Sequence, residues 1–468
     1  MNNKIMGRQM MQHCKKLGLI APEQYGSRKN KSAIKHATNK VLAYDITRQQ
    51  KSLLAMCVND AKSCYDRIVH AFMSLVLQSK GVQEPPIVCE LTTLQNLTNT
   101  IRTAYGTSDL SYGGELWVVP IHGEANGDTT KGPPQGLGQG NGMAPTAWAV
   151  VSTPFLEVMQ KEGFTTVFKA LISDEQIQYV GYAFVDDADI LATPEKPEDT
   201  YVELGNHMQD GMNLWEGSVT VSGGGMVVPK SYWYLIDFKW KEGIWSYKSV
   251  SETPFELRMQ GWDGRVLKLD RLEASQARRS LGLRSPPDGN NKAQVRYLRS
   301  VAKGWRDKMR TGHLNKFDAW TALTTQIMKT IEYPLQALTL TKEECTYIME
   351  PIMVSGLNGI GVCRNLPRVV AYAPVKYQGI GVKDPYTTMC IRHMELLMED
   401  TRWQTYTGGK LRISLEAMKV EVGIGGSVLT QDYTKYGCLA TKCIVQHTWR
   451  FLHENEMMLE DKVGELEL

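Results

Sequence analysis

Apolar and polar positions along the chain fall into two regimes, short alternating runs up to about residue 250 and long helical periodicities after Pro287. The spacing predicts helices over 5–17 and 32–48, the second opened by Ser32 as a cap. The run 53–58 (LLAMCV), followed by Asn59 and Asp60, reads as a buried strand ending at a polar edge. Helical spacing returns over 66–78, then come a break at 81–86 and a helix near 89–105. A Gly-rich connection runs through a predicted strand, 115–121, to a mostly buried helix over 143–160. Segments 177–184 and 188–192 predict a hairpin turning at Val185, Asp186 and Asp187. A helix over 200–214 and a second hairpin, 232–240 with 243–250, follow. Beyond Pro287 the pattern predicts amphipathic helices over 293–310, 316–331, 342–354 and 387–399.

This order predicts an α+β fold: an antiparallel sheet with helices on one face, spanning about 200 residues, then a separate helical domain. The 468 residues suggest three structural units, at about 150 residues each. No internal repeat or low-complexity tract interrupts them.

With 42% apolar and 22% charged residues the composition is that of a globular protein. The net charge of +3 points to no polyanionic partner, but its distribution does. Residues 1–51 hold 11 Lys or Arg against two acids, and residues 258–316 hold 15 against five. The last 17 residues reverse the sign, with six acids and Lys462. Two basic zones suit a groove for nucleic acid, although solvated helix faces give the same count. Nine scattered cysteines are too few for a disulfide framework and predict an intracellular protein, in nucleus or cytoplasm. Cys438, Cys443 and His447 form the one cluster with any ligand character, and it lacks a fourth partner. The longest uncharged stretch, 132–156, is too polar and broken to span a bilayer, so no membrane role is expected.

Three carboxylates stand out. Asp60 follows the apolar strand, and Asp186 and Asp187 sit side by side at a hairpin tip. Adjacent carboxylates repel unless a cation offsets them. Mg²⁺ is held through one or two carboxylates plus phosphates, and two such ions about 3.5–4 Å apart can activate a 3′-hydroxyl and stabilise leaving pyrophosphate. A solvated turn also favours Asp.

The surrounding residues carry a resemblance. Asn59-Asp60-Ala61-Lys62-Ser63-Cys64-Tyr65-Asp66 resembles the first palm motif of reverse transcriptases, in its non-LTR (LINE-type) form. Gln139-Gly140-Asn141-Gly142-Met143-Ala144-Pro145 is similar to the Gln-Gly-x-x-x-Ser-Pro motif, with Ala144 for Ser. Phe184-Val185-Asp186-Asp187 resembles the aromatic-x-Asp-Asp box, with Val185 for the usual Ala. Lys230-Ser231 resembles the Lys-Ser/Thr of the next motif, Ser280-Leu281-Gly282-Leu283 the palm–thumb element, and residues 24–32 the Gln-(Phe/Tyr)-Gly-Phe-Arg signature of LINE fingers. The six lie in family order over residues 24–283.

The resemblance implies an RNA-directed DNA polymerase, a nucleotidyltransferase, of a LINE-like retrotransposon. It implies a right-hand fold with partial fingers over 1–52, a palm with finger insertions over 53–250, a palm–thumb connection and helical thumb over 251–400, and an unassigned extension over 401–468. Asp60, Asp186 and Asp187 become the metal ligands for two Mg²⁺, with Mn²⁺ as substitute, and Lys230 a charge partner or proton donor at the pyrophosphate. Ala61 and Tyr65 lie at the incoming sugar, Gln139 and Gly140 at the nascent base pair, and Arg28 and Lys31, with Lys29, on template phosphates. The bland alternatives are a core aromatic for Tyr65, a flexible loop for 139–140, a surface lysine for Lys230 and a solvated loop for 28–31. The partners implied are an RNA template, a DNA primer and deoxynucleotide triphosphates, with oligomeric state left open. The family's earlier fingers hairpin, whose basic residues hold the triphosphate, has no counterpart before Gln24. An N-terminally truncated polymerase and an inactive nucleic-acid-binding relic are therefore both expected from the resemblance. A generic polymerase palm accounts equally for the carboxylates, but not for the Gln139 and Gln24 segments.

Overall fold

The computed structural model describes residues 2–62, 64–96, 98–113, 136–138, 141–312 and 314–461. Helix α1 (Asn2–Lys16) leads to α2 (Ala33–Gln50), whose Ser32 hydroxyl accepts the Lys35 N–H as the expected cap. Strand β1 (Leu54–Asp60) follows, buried up to its last residue. The helical stretch read over 66–78 is two helices, α3 (Cys64–Arg67) and α4 (His70–Ser79). They separate because the Val69 N–H donates to Ser222 and the Ile68 carbonyl accepts from Gly136, so both groups leave the helical ladder. Helix α5 (Glu84–Gln95) begins inside the expected break, since Pro85 and Pro86 occupy a first turn that needs no N–H. It stops at Gln95 rather than near 105. The Thr-rich segment beyond is strand β2 (Thr98–Thr103), paired with β3 (Gly106–Gly113). The strand expected over 115–121 lies outside the described residues.

The helix read over 143–160 divides into α6 (Ala144–Val151) and α7 (Thr153–Lys161), because Pro154 in its middle cannot donate to the preceding turn. Strands β4 (Thr166–Lys169) and β5 (Gln176–Tyr179) form a hairpin, and β6 (Gly181–Phe184) and β7 (Asp187–Ala192) form the one expected around the Asp pair. Helix α8 (Tyr201–Val221) opens with a Thr200–Glu203 capping box and runs past its expected end. Strand β8 (Tyr232–Ile236) is not a hairpin arm but pairs with β1, and the hairpin is β9 (Phe238–Lys241) with β10 (Ile244–Tyr247). Strands β11 (Arg258–Gln260) and β12 (Val266–Lys268) pair locally, and β13 (Asp270–Arg271) joins β8.

The remainder is helical. Helix α9 (Lys292–Thr311) precedes α10 (Lys316–Ala322) and α11 (Met328–Glu332), which a π turn over Leu323–Ile327 connects. Helices α12 (Lys342–Glu350), α13 (Arg368–Tyr372) and α14 (Pro385–Asp400) follow. Helices α15 (Tyr406–Val422), α16 (Tyr433–Tyr436) and α17 (Ile444–Glu454) end the chain's described part. No helix among the described residues is long and apolar enough to cross a membrane.

The fold is α+β. Its main sheet has the order β13-β8-β1-β7-β6, antiparallel except for the short β13. Alternation along β1 sends Ala55 and Cys57 into a core shared with α4, α6, α7 and α8. Leu54, Met56 and Val58 point the other way, into a core with Tyr44 and Ile46 of α2 and Ile413 of α15. The expectation of helices on one face is thus corrected: helices cover both. Two buried faces explain why β1 reads as a continuous apolar run instead of an alternating one. A third core joins α9, α12, α14, α15 and α17, and takes in Ala37, Val41 and Leu42 of α2. Helix α2 is therefore buried between the sheet and the helical part.

Candidate active site

Strands β1 and β7 are neighbours, and their register sets Asp60 opposite Asp187. Phe184 also pairs with Asp187, so the turn is Val185-Asp186 and the second aspartate belongs to the strand. The turn therefore presents Asp186 alone at its tip. Val185 has φ 62°, a left-handed conformation that costs a β-branched residue about 1–3 kcal/mol and persists only when its surroundings impose it.

The far end of β1 is tied to the segment that precedes β8. The Asp60 N–H donates to Ser231 Oγ at 3.2 Å, and the Asp60 carbonyl accepts from Val227 at 2.9 Å. Lys230 Nζ lies 3.2 Å from Asp60 Oδ2, with its side chain largely exposed. Lys230 and Ser231 thus act on the same residue, one on its carboxylate and one on its backbone.

Electrostatics follow from this crowding. Burial, then Asp186, Asp189 and Asp60, push the Asp187 carboxyl up to about 7. Burial and the Asp60 charge raise Asp186 as well, with Lys230 partly offsetting them. Three acids converging on one strand end repel, and a bound cation would relieve them. Among the described residues no group of three or more His, Cys, Asp or Glu is arranged to hold a metal by itself. The donor set fits an ion held by one or two carboxylates and completed by substrate oxygens rather than an all-protein cage. Cys438, Cys443 and His447 do not form one either: Cys438 is exposed, Cys443 Sγ caps α17 and His447 bonds the Leu340 carbonyl.

The other sequence-predicted residues divide. Ala61 is buried and bridges to Met226 beside Asp60. Tyr65 is half-buried, its ring 6.3 Å from Trp148 in an edge-on arrangement. Arg28 is turned inward, its Nη1 donating to the carbonyls of Ala21 and Gln24. Lys31 Nζ sits 4.2 Å over the Tyr25 ring, and burial, with Arg28 and Lys35, brings it down to about 8. Glu23 acts on both Arg28 and Lys31, and Lys35 and Asp400 act on Lys31. Gln139 and Gly140 lie outside the described residues.

Sequence reasoning missed four residues around β6 and β7. Gln24 and Trp148 bond the two peptide groups of Val185, and His36 and Lys40 bond Asp189. Gln24 lies in a motif already singled out, and Asp189 is an acid flanked by the apolar Ala188 and Ile190 of β7, a signal that a buried partner exists.

No protein-family model and no curated protein matches the chain. Solved structures similar to it include telomerase from Candida albicans with the TWJ fragment of telomeric RNA, at 9% identity and TM-score 0.34 over 92% of this chain and 55% of that one. Apo telomerase from Candida tropicalis aligns at 12% identity and TM-score 0.33, over 88% of this chain and 60% of that one. The chain therefore spans little more than half the length of these structures.

Proposed function

We propose that the chain is the polymerase region of a LINE-like, RNA-directed DNA polymerase, adding deoxynucleotides to a primer 3′-hydroxyl. The observation that carries this reading is the register of Asp60 against Asp187, with Asp186 on the adjoining turn. In this reading 53–250 is the palm with finger insertions, 1–52 partial fingers, 251–400 the palm–thumb connection and helical thumb, and 401–468 an unassigned extension. Asp60, Asp186 and Asp187 would hold two Mg²⁺, or Mn²⁺, and such ions when bound lower the hydroxyl pKa and neutralise pyrophosphate.

The chain's own residues position and balance charge. Lys230, exposed and beside Asp60, faces the site as a cation or proton donor for the departing pyrophosphate. Ala61 and Tyr65 would line the approach of the sugar and Lys31 the template strand, the resemblance assigns Gln139 and Gly140 to the base pair, and Arg28 braces its loop through the carbonyls of Ala21 and Gln24 instead of reaching a phosphate. Helix α9 buries Val295, Leu298 and Trp305, leaving Lys292, Arg296, Lys303 and Arg310 exposed for duplex phosphates.

Primer extension on matched RNA and DNA templates, with Asp186→Ala as control, tests the reading. Extension on RNA that vanishes in the variant supports it. Extension on no template with Mg²⁺ or Mn²⁺ overturns it, and salt-sensitive duplex binding alone would make the protein a nucleic-acid-binding relic.

A further inference from the structure

The strain at Val185 needs a cause, and two remote segments supply one. A two-residue hairpin turn with positive φ at its first central position ordinarily takes Gly there. Here a Val occupies it, with φ 62°. Its N–H donates to Gln24 Oε1 at 3.2 Å, and its carbonyl accepts from Trp148 Nε1 at 2.5 Å. Both peptide groups of one residue are thus taken by side chains, one from the segment before α2 and one from α6.

Each side chain is itself immobilised. Gln24 is fully buried, its Oε1 also accepting the Gly26 N–H at 2.9 Å and its Nε2 donating to Ser152 Oγ at 3.1 Å. The amide therefore has a single consistent orientation. Its backbone lies along β6: the Tyr25 N–H donates to the Ala183 carbonyl at 2.6 Å, and the Ala183 N–H to the Glu23 carbonyl at 3.0 Å. Trp148 is buried, with Tyr65 and Phe155 edge-on at 6.3 and 6.4 Å. Gly26 closes the clamp, because a Cβ there would come within 2.8 Å of the Val185 nitrogen.

We propose that Gln24 and Trp148 are positioning residues that grip Val185 from opposite sides, hold it left-handed and thereby set where Asp186 stands relative to Asp60 and Asp187. The grip on the turn stands on the geometry alone, whereas its catalytic consequence rests on the polymerase reading above. Neither side chain needs to touch substrate or ion for this role.

Amide hydrogen exchange and steady-state kinetics on the full chain test it together. Trp148→Phe keeps the packed ring and removes the N–H, and Gln24→Leu removes the bond to Val185, together with those to Gly26 and Ser152, at similar volume. In each, exchange over 181–190 is expected to rise about tenfold, the equivalent of one lost hydrogen bond, with 54–60 and 232–236 unchanged. The rate constant kcat falls about tenfold while KM for the triphosphate stays within about twofold, the pattern of a misplaced reacting group. Combining Gln24→Leu with Val185→Gly, which tolerates the φ unaided, is expected to cost less than the sum of the two changes. Unchanged exchange over 181–190 in both single variants, or a rise spread over the whole sheet, overturns the clamp. Local exchange with no wild-type extension on any template upholds the clamp and overturns the polymerase reading instead.

Discussion

His36 Nε2 lies 2.7 Å from Asp189 Oδ2, and Lys40 Nζ lies 3.1 Å from the other oxygen of the same carboxylate. All three side chains are buried. His36 and Lys40 stand one turn apart on α2, and Asp189 lies on β7 two residues beyond Asp187, so α2 is tied to the strand that carries the candidate site. Burial pushes the Asp189 carboxyl up, and Lys40 and His36 more than offset it, holding it below its ordinary value.

Removing one partner of this network strands a buried charge. Asp189→Ala is therefore expected to cost about 3–5 kcal/mol, read as a lower urea midpoint at unchanged m-value. A loss well under about 1 kcal/mol would mean that the network contributes little.

His447 supplies a pH dependence. Burial is the main cause that brings it down to about 4, with its bond to the Leu340 carbonyl partly opposing. Its pKa is depressed in the folded chain, so between pH 7 and 5 the unfolded chain binds a proton that the folded one refuses. Acidification across that window should cost the wild type about 2 kcal/mol through this residue. His447→Gln loses packing at every pH but lacks this term, so the stability gap between the two should narrow by about that amount at pH 5. A gap independent of pH would show that His447 is not held neutral.

Lys230 separates function from stability. Its side chain is largely exposed and its pair with Asp60 is open to water, so Lys230→Met should leave the melting temperature within the small range of surface ion pairs. If it donates a proton to pyrophosphate, single-turnover extension should fall about 10²-fold. Unaltered turnover would make it a surface lysine.

Ile413 tests the second cover of the sheet. It is fully buried in the core that also holds Leu54, Met56 and Tyr182, and Ile413→Asp would place an unpaired charge there, costing about 3–5 kcal/mol. Urea unfolding of the variant reads the cost directly. A wild-type midpoint would mean that α15 does not seal this face.

Much of the sheet was legible locally. The apolar run ending at Asn59 and Asp60 marks β1, the Ser32 cap marks α2, and the Asp pair between apolar segments marks β6 and β7. The same local reasoning joins what tertiary contacts separate at Ile68–Val69, passes over the local break at Pro154, and makes β8 a hairpin arm because neighbouring runs suggest local pairing. The resemblance puts Arg28 on template phosphates, and only the tertiary structure shows the carbonyls of Ala21 and Gln24 turning it inward.

Helix α15 shows the limit most clearly. Its stripe Leu411, Leu415, Met418 and Val422 marks one core-facing side, but Lys410, Ser414, Glu416 and Lys419 are buried too, and nothing in their polarity shows that the helix is covered on its other sides. Their partners lie far away in sequence: Asn39 for Lys410, Gln49 for Ser414, Ser173 for Glu416 and Asp461 for Lys419.

By itself the sequence determined the period of each segment, the positions of its caps and the chemical kinds of residue at the strand ends, because these depend on neighbours within a few positions. Only the tertiary structure decided that Asp60 meets Asp187, that Gln24 and Trp148 hold Val185, and that α2 and α15 close the second face of the sheet. Those outcomes join segments that one-dimensional periodicity cannot relate, since a buried polar group is satisfied by whichever distant partner the packing brings to it.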